Sequence, residues 1–100
     1  MFVTTDAVLT EVLAFSSHRG VHARNAAVES VEQILASKSS AVVHQDRPLF
    51  LAGLDLYRQR IDKQYSLTDC MSMIVCRQQQ ITDVLTHDHH FMQEGFTILL

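Results

Sequence analysis

The sequence predicts an α/β domain with a largely parallel sheet. Short apolar segments of strand character, around Phe2 and Val3, Ala41 to His44, Val84 and Leu85, and Phe96 to Leu100, alternate with longer segments whose apolar residues recur at helical spacing. Parallel neighbours need crossovers of about a dozen residues, usually helical, and the intervals between these segments supply them. Scale is the third observation. The chain has 100 residues, 47% of them hydrophobic, so residues 1–100 are expected to form one small domain around one core.

The elements follow in order. Phe2 and Val3 favour a strand, and Thr5 offers a hydroxyl cap to a helix marked by Val8, Leu9, Val12 and Leu13. Gly20 punctuates, and Ala27, Val28, Val31, Ile34 and Leu35 make the stripe of a second helix running to about Lys38. Ala41 to His44 read as a buried strand. Asp46 and Pro48 are a cap and first-turn pair for a third helix, with Phe50, Leu54, Tyr57 and Ile61 as its predicted inner face. Asp62 to Tyr65 break the pattern. Ser66 opens a fourth helix with Leu67, Cys70, Met71, Ile74 and Val75 inward, and the glutamines at 78–80 end it. Ile81, Val84 and Leu85 lead into a strand that stops at the polar cluster Thr86 to His90, before Phe91, Gly95 and a last strand.

Eight Lys+Arg against 11 Asp+Glu give a net charge of -3. This excludes a nonspecific nucleic-acid coat protein and leaves room only for a local basic patch. No apolar run reaches the ~18 residues of a membrane span, and the residues after Met1 show no secretory n-region or h-region. A cytoplasmic location without membrane association is expected. Cys70 and Cys76 lie too far apart on one helix to bridge and are expected to be reduced.

Three acids stand where chemistry would need them. Asp69 follows Ser66 by three residues, which makes a capping box and places a carboxylate in the first turn of a helix, where the macrodipole favours negative charge. Asp88 follows Val84 and Leu85 at the carboxyl end of a strand, the edge at which open α/β sheets bind ligands. Glu11 lies on a helix that also follows a strand end. Converging carboxylates repel unless a cation relieves them, and hard oxygen donors suit Mg²⁺ or Mn²⁺, which bind phosphate and activate water. Arg58, Arg60 and Lys63 cluster before Asp69; they either hold phosphates or satisfy the end of their own helix. The His87 to His90 run invites a zinc reading, but two ligands on one face do not make a site.

The segments Tyr65-Ser66-Leu67-Thr68-Asp69-Cys70 and Leu85-Thr86-His87-Asp88-His89-His90-Phe91, followed by Gly95-Phe96, resemble the closing half of a PIN domain. Upstream, Val3-Thr4-Thr5-Asp6 through Leu9-Thr10-Glu11 looks like that family's second strand and the helix bearing its acid. The resemblance implies a PIN-like parallel sheet flanked by helices. It also implies a metal-dependent endoribonuclease of the VapC toxin type, with Glu11, Asp69 and Asp88 as catalytic metal acids around Mg²⁺ or Mn²⁺. Thr86 and Ser66 would support them with hydroxyls, His90 matches the family's Asp-x-His-Phe position, and Arg58, Arg60 and Lys63 would meet the RNA substrate. A VapB-like antitoxin is the implied partner.

The resemblance begins after the first family strand, which lies centrally between the second and fourth and ends in a metal-binding aspartate. A sheet without it is expected to re-pair or to borrow a strand, making a homo-oligomer. Activity is accordingly expected where an upstream strand and aspartate, or a second subunit, complete the acid set. The alternative is a catalytically inactive PIN-like interaction protein that oligomerises through its incomplete sheet.

Overall fold

The computed structural model describes residues 2–85 and 89–99. The chain divides into two compact units, residues 1–45 and 46–100. The first contains β1 (Phe2–Thr5), α1 (Asp6–Ser16), α2 (Val21–Ala36) and β2 (Ser40–Val43). The strands run parallel in a register that pairs Phe2 with Ser40 and Thr5 with Val43, and the two helices form the crossover between them, as parallel pairing demands. Thr5 ends the strand and caps the helix at once: its Oγ1 accepts from the Val8 N–H at 3.2 Å. The Asp6 carboxylate ties the far end of the unit back, with Oδ2 accepting from the Gln45 N–H at 3.2 Å and lying 3.2 Å from His44 Nδ1.

Burial in this unit is narrower than the apolar stripes suggest. Ala7, Leu9, Ala27 and Val31 are buried, whereas Val12, Leu13, Val28 and Leu35 are exposed. A ladder of two strands is too narrow to cover the full apolar face of two helices.

The second unit contains α3 (Arg47–Gln59), α4 (Leu67–Gln78), β3 (Asp83–Val84), α5 (His90–Gln93) and β4 (Thr97–Ile98). Asp46 caps α3 by accepting from the Leu49 N–H at 2.9 Å, with Pro48 in the first turn. The central helix is α4, where Cys70, Met71, Met73 and Val75 are all buried, Met73 completely. Around it Leu56, Tyr65, Phe91 and Phe96 complete a core, with Ile74, Cys76, Val84 and Ile98 packed on its margin. The strands β3 and β4 pair in parallel, Asp83 with Thr97 and Val84 with Ile98. Parallel pairing and flanking helices are as expected; the described strands form two ladders of two rather than one continuous sheet.

Two sequence expectations need correction here. The inner face of α3 is not Phe50, Leu54, Tyr57 and Ile61. The buried positions are Leu49, Gly53 and Leu56, one residue earlier, while Leu54 and Tyr57 are exposed and Ile61, beyond the helix end, is 77% exposed. Gly53 is the reason: a Cβ there would lie 2.5 Å from Met71 Cγ and 3.4 Å from Met71 N, so the backbones of α3 and α4 approach through a residue that carries no apolar signal. The final segment also differs. Its strand covers only Thr97–Ile98, and an unpredicted helix, α5, precedes it.

The turn after α5 explains the Gly-Phe pair. The Phe96 N–H donates to the Phe91 carbonyl at 3.0 Å and the Gly95 N–H to the Met92 carbonyl at 3.1 Å, the paired bonds of a Schellman motif, with Gly95 at φ 90. Phe91 and Phe96 then meet edge to face with ring centroids 5.9 Å apart.

Gly53→Ala is expected to lower the stability of the protein by about 1–3 kcal/mol, because overpacking against the buried Met71 outweighs the roughly 1 kcal/mol gained in helix propensity. A urea midpoint equal to that of the wild type would refute the close approach of the two helices.

Candidate functional site

Asp69 sits in the first turn of α4, and the predicted capping box is present. The Asp69 N–H donates to Ser66 Oγ at 3.0 Å, and the Ser66 N–H donates to Asp69 Oδ2 at 3.1 Å. One carboxylate oxygen is thereby anchored by the helix terminus. The other, Oδ1, accepts no hydrogen bond among the described residues, and the side chain keeps 21% of its surface open. His90, the first residue of α5, brings Nδ1 to 3.7 Å from Asp69 Oδ2. The Tyr65 ring lies tilted against the His90 ring, centroids 5.3 Å apart.

Beside this lies a cluster that sequence reasoning missed. Glu94, the C-cap of α5, has a side chain only 6% exposed and takes three donors, two from the α3–α4 connection and one from α4. Arg60 Nε donates to Oε2 at 2.8 Å, Tyr65 Oη donates to the same oxygen at 3.0 Å, and Arg77 Nη2 donates to Oε1 at 2.8 Å. The hydrogen bond from Arg60 is the main cause that holds the Glu94 carboxyl at about 2, with Arg77 and Tyr65 adding to it against the opposing effect of burial. Burial first, and then the bond to Glu94, pushes the Tyr65 hydroxyl up to about 12. Arg60 in turn is raised, chiefly by its hydrogen bond to Glu94. One signal in the sequence points to Glu94: it is the only ionisable residue between Phe91 and Leu100, and a lone charge in an apolar segment needs partners.

The remaining predicted residues are distributed as follows. Glu11 is exposed on α1 in the first unit. Asp88 and Thr86, with His87, lie outside the described residues. Arg58 is paired with Asp55 one helical turn earlier, Arg60 with Glu94, and Lys63 Nζ lies 3.9 Å from Asp62, so every member of the basic group has an acidic partner. Cys70 and Cys76 are free thiols, both pushed up by burial, which suits inert core residues.

Among the described residues no three His, Cys, Asp or Glu side chains come together to hold an ion. Asp69 by itself fits the chemistry of a hard divalent cation: a carboxylate fixed through one oxygen, with the other accepting no hydrogen bond among the described residues, and with the neighbouring Cys70 pushed toward its thiol form by burial.

No family model matches the sequence, and no curated protein matches it. The fold does have a counterpart. The crystal structure of Mycobacterium tuberculosis VapC20, a Sarcin-Ricin loop cleaving toxin, superposes with a TM-score of 0.83 at 25% sequence identity, covering 95% of this chain and 71% of that one. The chain has a VapC-type PIN fold. In this PIN fold the Ser66-Leu67-Thr68-Asp69 segment forms a helix start and its capping box, and the Phe91 to Phe96 segment forms α5 and its closing turn.

Proposed function

We propose that the protein is a metal-dependent endoribonuclease of the PIN/VapC toxin type, hydrolysing RNA phosphodiester bonds. The observation that carries this reading is Asp69, anchored through one oxygen in the first turn of α4 within a fold that matches a Sarcin-Ricin loop cleaving toxin over 95% of the chain. PIN-domain VapC toxins generally use divalent metal ions, act on RNA and pair with VapB antitoxins; Mg²⁺ or Mn²⁺, an RNA substrate and a VapB-like antitoxin are proposed here on that basis. A cytoplasmic site of action and a homo-oligomeric state belong to the same proposal.

In this reading Asp69, Asp88 and Glu11 would be the acids that hold the metal, which when bound would supply an activated water and neutralise charge on the phosphate. Ser66 keeps Asp69 in place through the capping box, and Thr86 would be the second supporting hydroxyl. Arg60 stays with Glu94, which leaves Arg58 and Lys63 as the cations of their group whose solvent-exposed pairs a phosphate can replace. The division of the described strands into two ladders of two favours completion by a second copy, since an isolated two-stranded ladder is marginal on its own.

RNA cleavage is expected to require Mn²⁺ or Mg²⁺, to stop on addition of EDTA, and to rise more steeply than linearly with protein concentration if a second subunit completes the acid set. Folded, Mn²⁺-loaded protein that leaves RNA intact at every concentration would sink the nuclease reading in favour of a catalytically inactive interaction protein.

A further inference from the structure

A second group of cations lies at the turn between α1 and α2. Between Glu11 and Glu29 the sequence contains no acid but has His18, Arg19, His22 and Arg24, and all four are exposed. Neither arginine has a carboxylate partner among the described residues. Arg19 Nε donates to the Phe15 carbonyl at 3.2 Å and Arg24 Nη1 to the Ser17 carbonyl at 3.1 Å. Each bond spends one of the five guanidinium N–H groups and fixes the side chain on the turn, leaving the other donors for a ligand. Phe15, in the last turn of α1, is 66% exposed, with the Arg19 guanidinium 3.9 Å from its ring centroid. Arg19 stacks on the ring, yet Phe15 keeps two thirds of its surface open, enough for a base to stack there as well.

Spacing orders these groups. Glu11 and Phe15 are four residues apart on α1, so they share a face about 6 Å apart along the axis. Arg19 comes four residues later, just past the helix end. An acid, an aromatic ring and a guanidinium therefore follow one another along the outer side of α1 into the turn. Phosphates take bidentate donors from arginine, and unpaired bases stack on exposed rings.

We infer that the α1–α2 turn is a binding surface for single-stranded RNA, in which Arg19 and Arg24 hold backbone phosphates and Phe15 stacks a base, leading the strand toward Glu11. The inference rests on the nuclease reading for the role of Glu11, but the RNA contacts themselves are a separate property of the turn. It also assigns RNA contact to a place where the chain is locally basic despite its overall charge of -3.

The test is fluorescence anisotropy of a labelled single-stranded RNA with the full chain in EDTA, so that binding is read without cleavage. Arg19→Glu with Arg24→Glu is expected to weaken binding at least about tenfold, and the slope of log K against log salt is expected to fall by about 1.4, the value for two lost phosphate contacts on a single strand. Phe15→Ala is expected to weaken binding about tenfold with little change in slope. Lys38→Glu, a single charge reversal at an exposed cation of the same unit outside the turn, is expected to stay within about twofold. Circular dichroism melts confirm that the variants fold. Equal loss in the double variant and in Lys38→Glu, or wild-type affinity in the double variant, overturns the inference. If metal-dependent cleavage persists in that case, the nuclease reading survives it; selective loss of binding in a protein that cleaves nothing supports the turn and removes the nuclease.

Discussion

Asp69→Asn is expected to reduce metal-dependent RNA cleavage on the order of a thousandfold while leaving the protein folded. A catalytic divalent ion contributes several kcal/mol to stabilising charge in the transition state, and each 1.36 kcal/mol is a factor of ten in rate. The substitution separates the two roles of the residue. The amide oxygen of Asn can still accept from the Ser66 N–H, and its backbone N–H still donates to Ser66 Oγ, so both bonds of the capping box survive. What is lost is the negative charge: its favourable interaction with the helix terminus, about 0.3–1 kcal/mol at a partly exposed site, and its ability to ligate a hard cation through Oδ1. Mn²⁺ titration by calorimetry should show weakened binding in parallel with the loss of rate, with a thermal midpoint shifted by only a few degrees. Full activity with unchanged Mn²⁺ affinity would reduce Asp69 to a helix cap and nothing more.

Much of this site could be read from the sequence because caps are local. Thr5, Asp46 and Ser66 each announce a helix three residues before the backbone N–H that they satisfy, and each makes that bond in the structure. Periodicity fared worse where packing is decided by absence. Phe50, Leu54, Tyr57 and Ile61 form a convincing apolar stripe, yet α3 turns Leu49, Gly53 and Leu56 inward because a missing side chain at Gly53 admits Met71. The helix α5 is a single turn of four residues, too short for a 3.6-residue period to register. It depends instead on the closing bonds around Gly95 and on the meeting of Phe91 with Phe96. The Glu94 cluster is non-local in sequence: its donors come from 34, 29 and 17 residues away. Arg60 read as a phosphate ligand for the same reason, since only the fold reveals the carboxylate that holds it.

Glu94→Gln is expected to destabilise the protein by about 2 kcal/mol at neutral pH. Three donors converge on the two carboxylate oxygens, so whichever oxygen becomes an amide NH₂ faces a donor, either Arg77 or the Arg60 and Tyr65 pair. Removing one partner of a buried pair strands the other, although both arginines keep enough solvent contact to soften the loss. The pH dependence gives a sharper test. Because its folded-state value is depressed to about 2 from an ordinary 4.5, ionised Glu94 stabilises the fold fully above about pH 4.5, and that contribution fades as pH falls from there toward 2. The wild type should lose stability over this window, and the Gln variant should lose less. Tyr65 acts on the opposite side. Its hydroxyl is raised to about 12 from 10, so its protonated form supports the fold below pH 10 and the support is lost as pH climbs through 12. In the Gln variant burial still raises Tyr65, while the contribution of the Glu94 charge is gone, so spectrophotometric titration should find the phenol less raised than in the wild type. Parallel acid limbs for wild type and variant between pH 4.5 and 2 would mean that Glu94 does not carry the ion pairs that join α5 to Arg60 and Arg77.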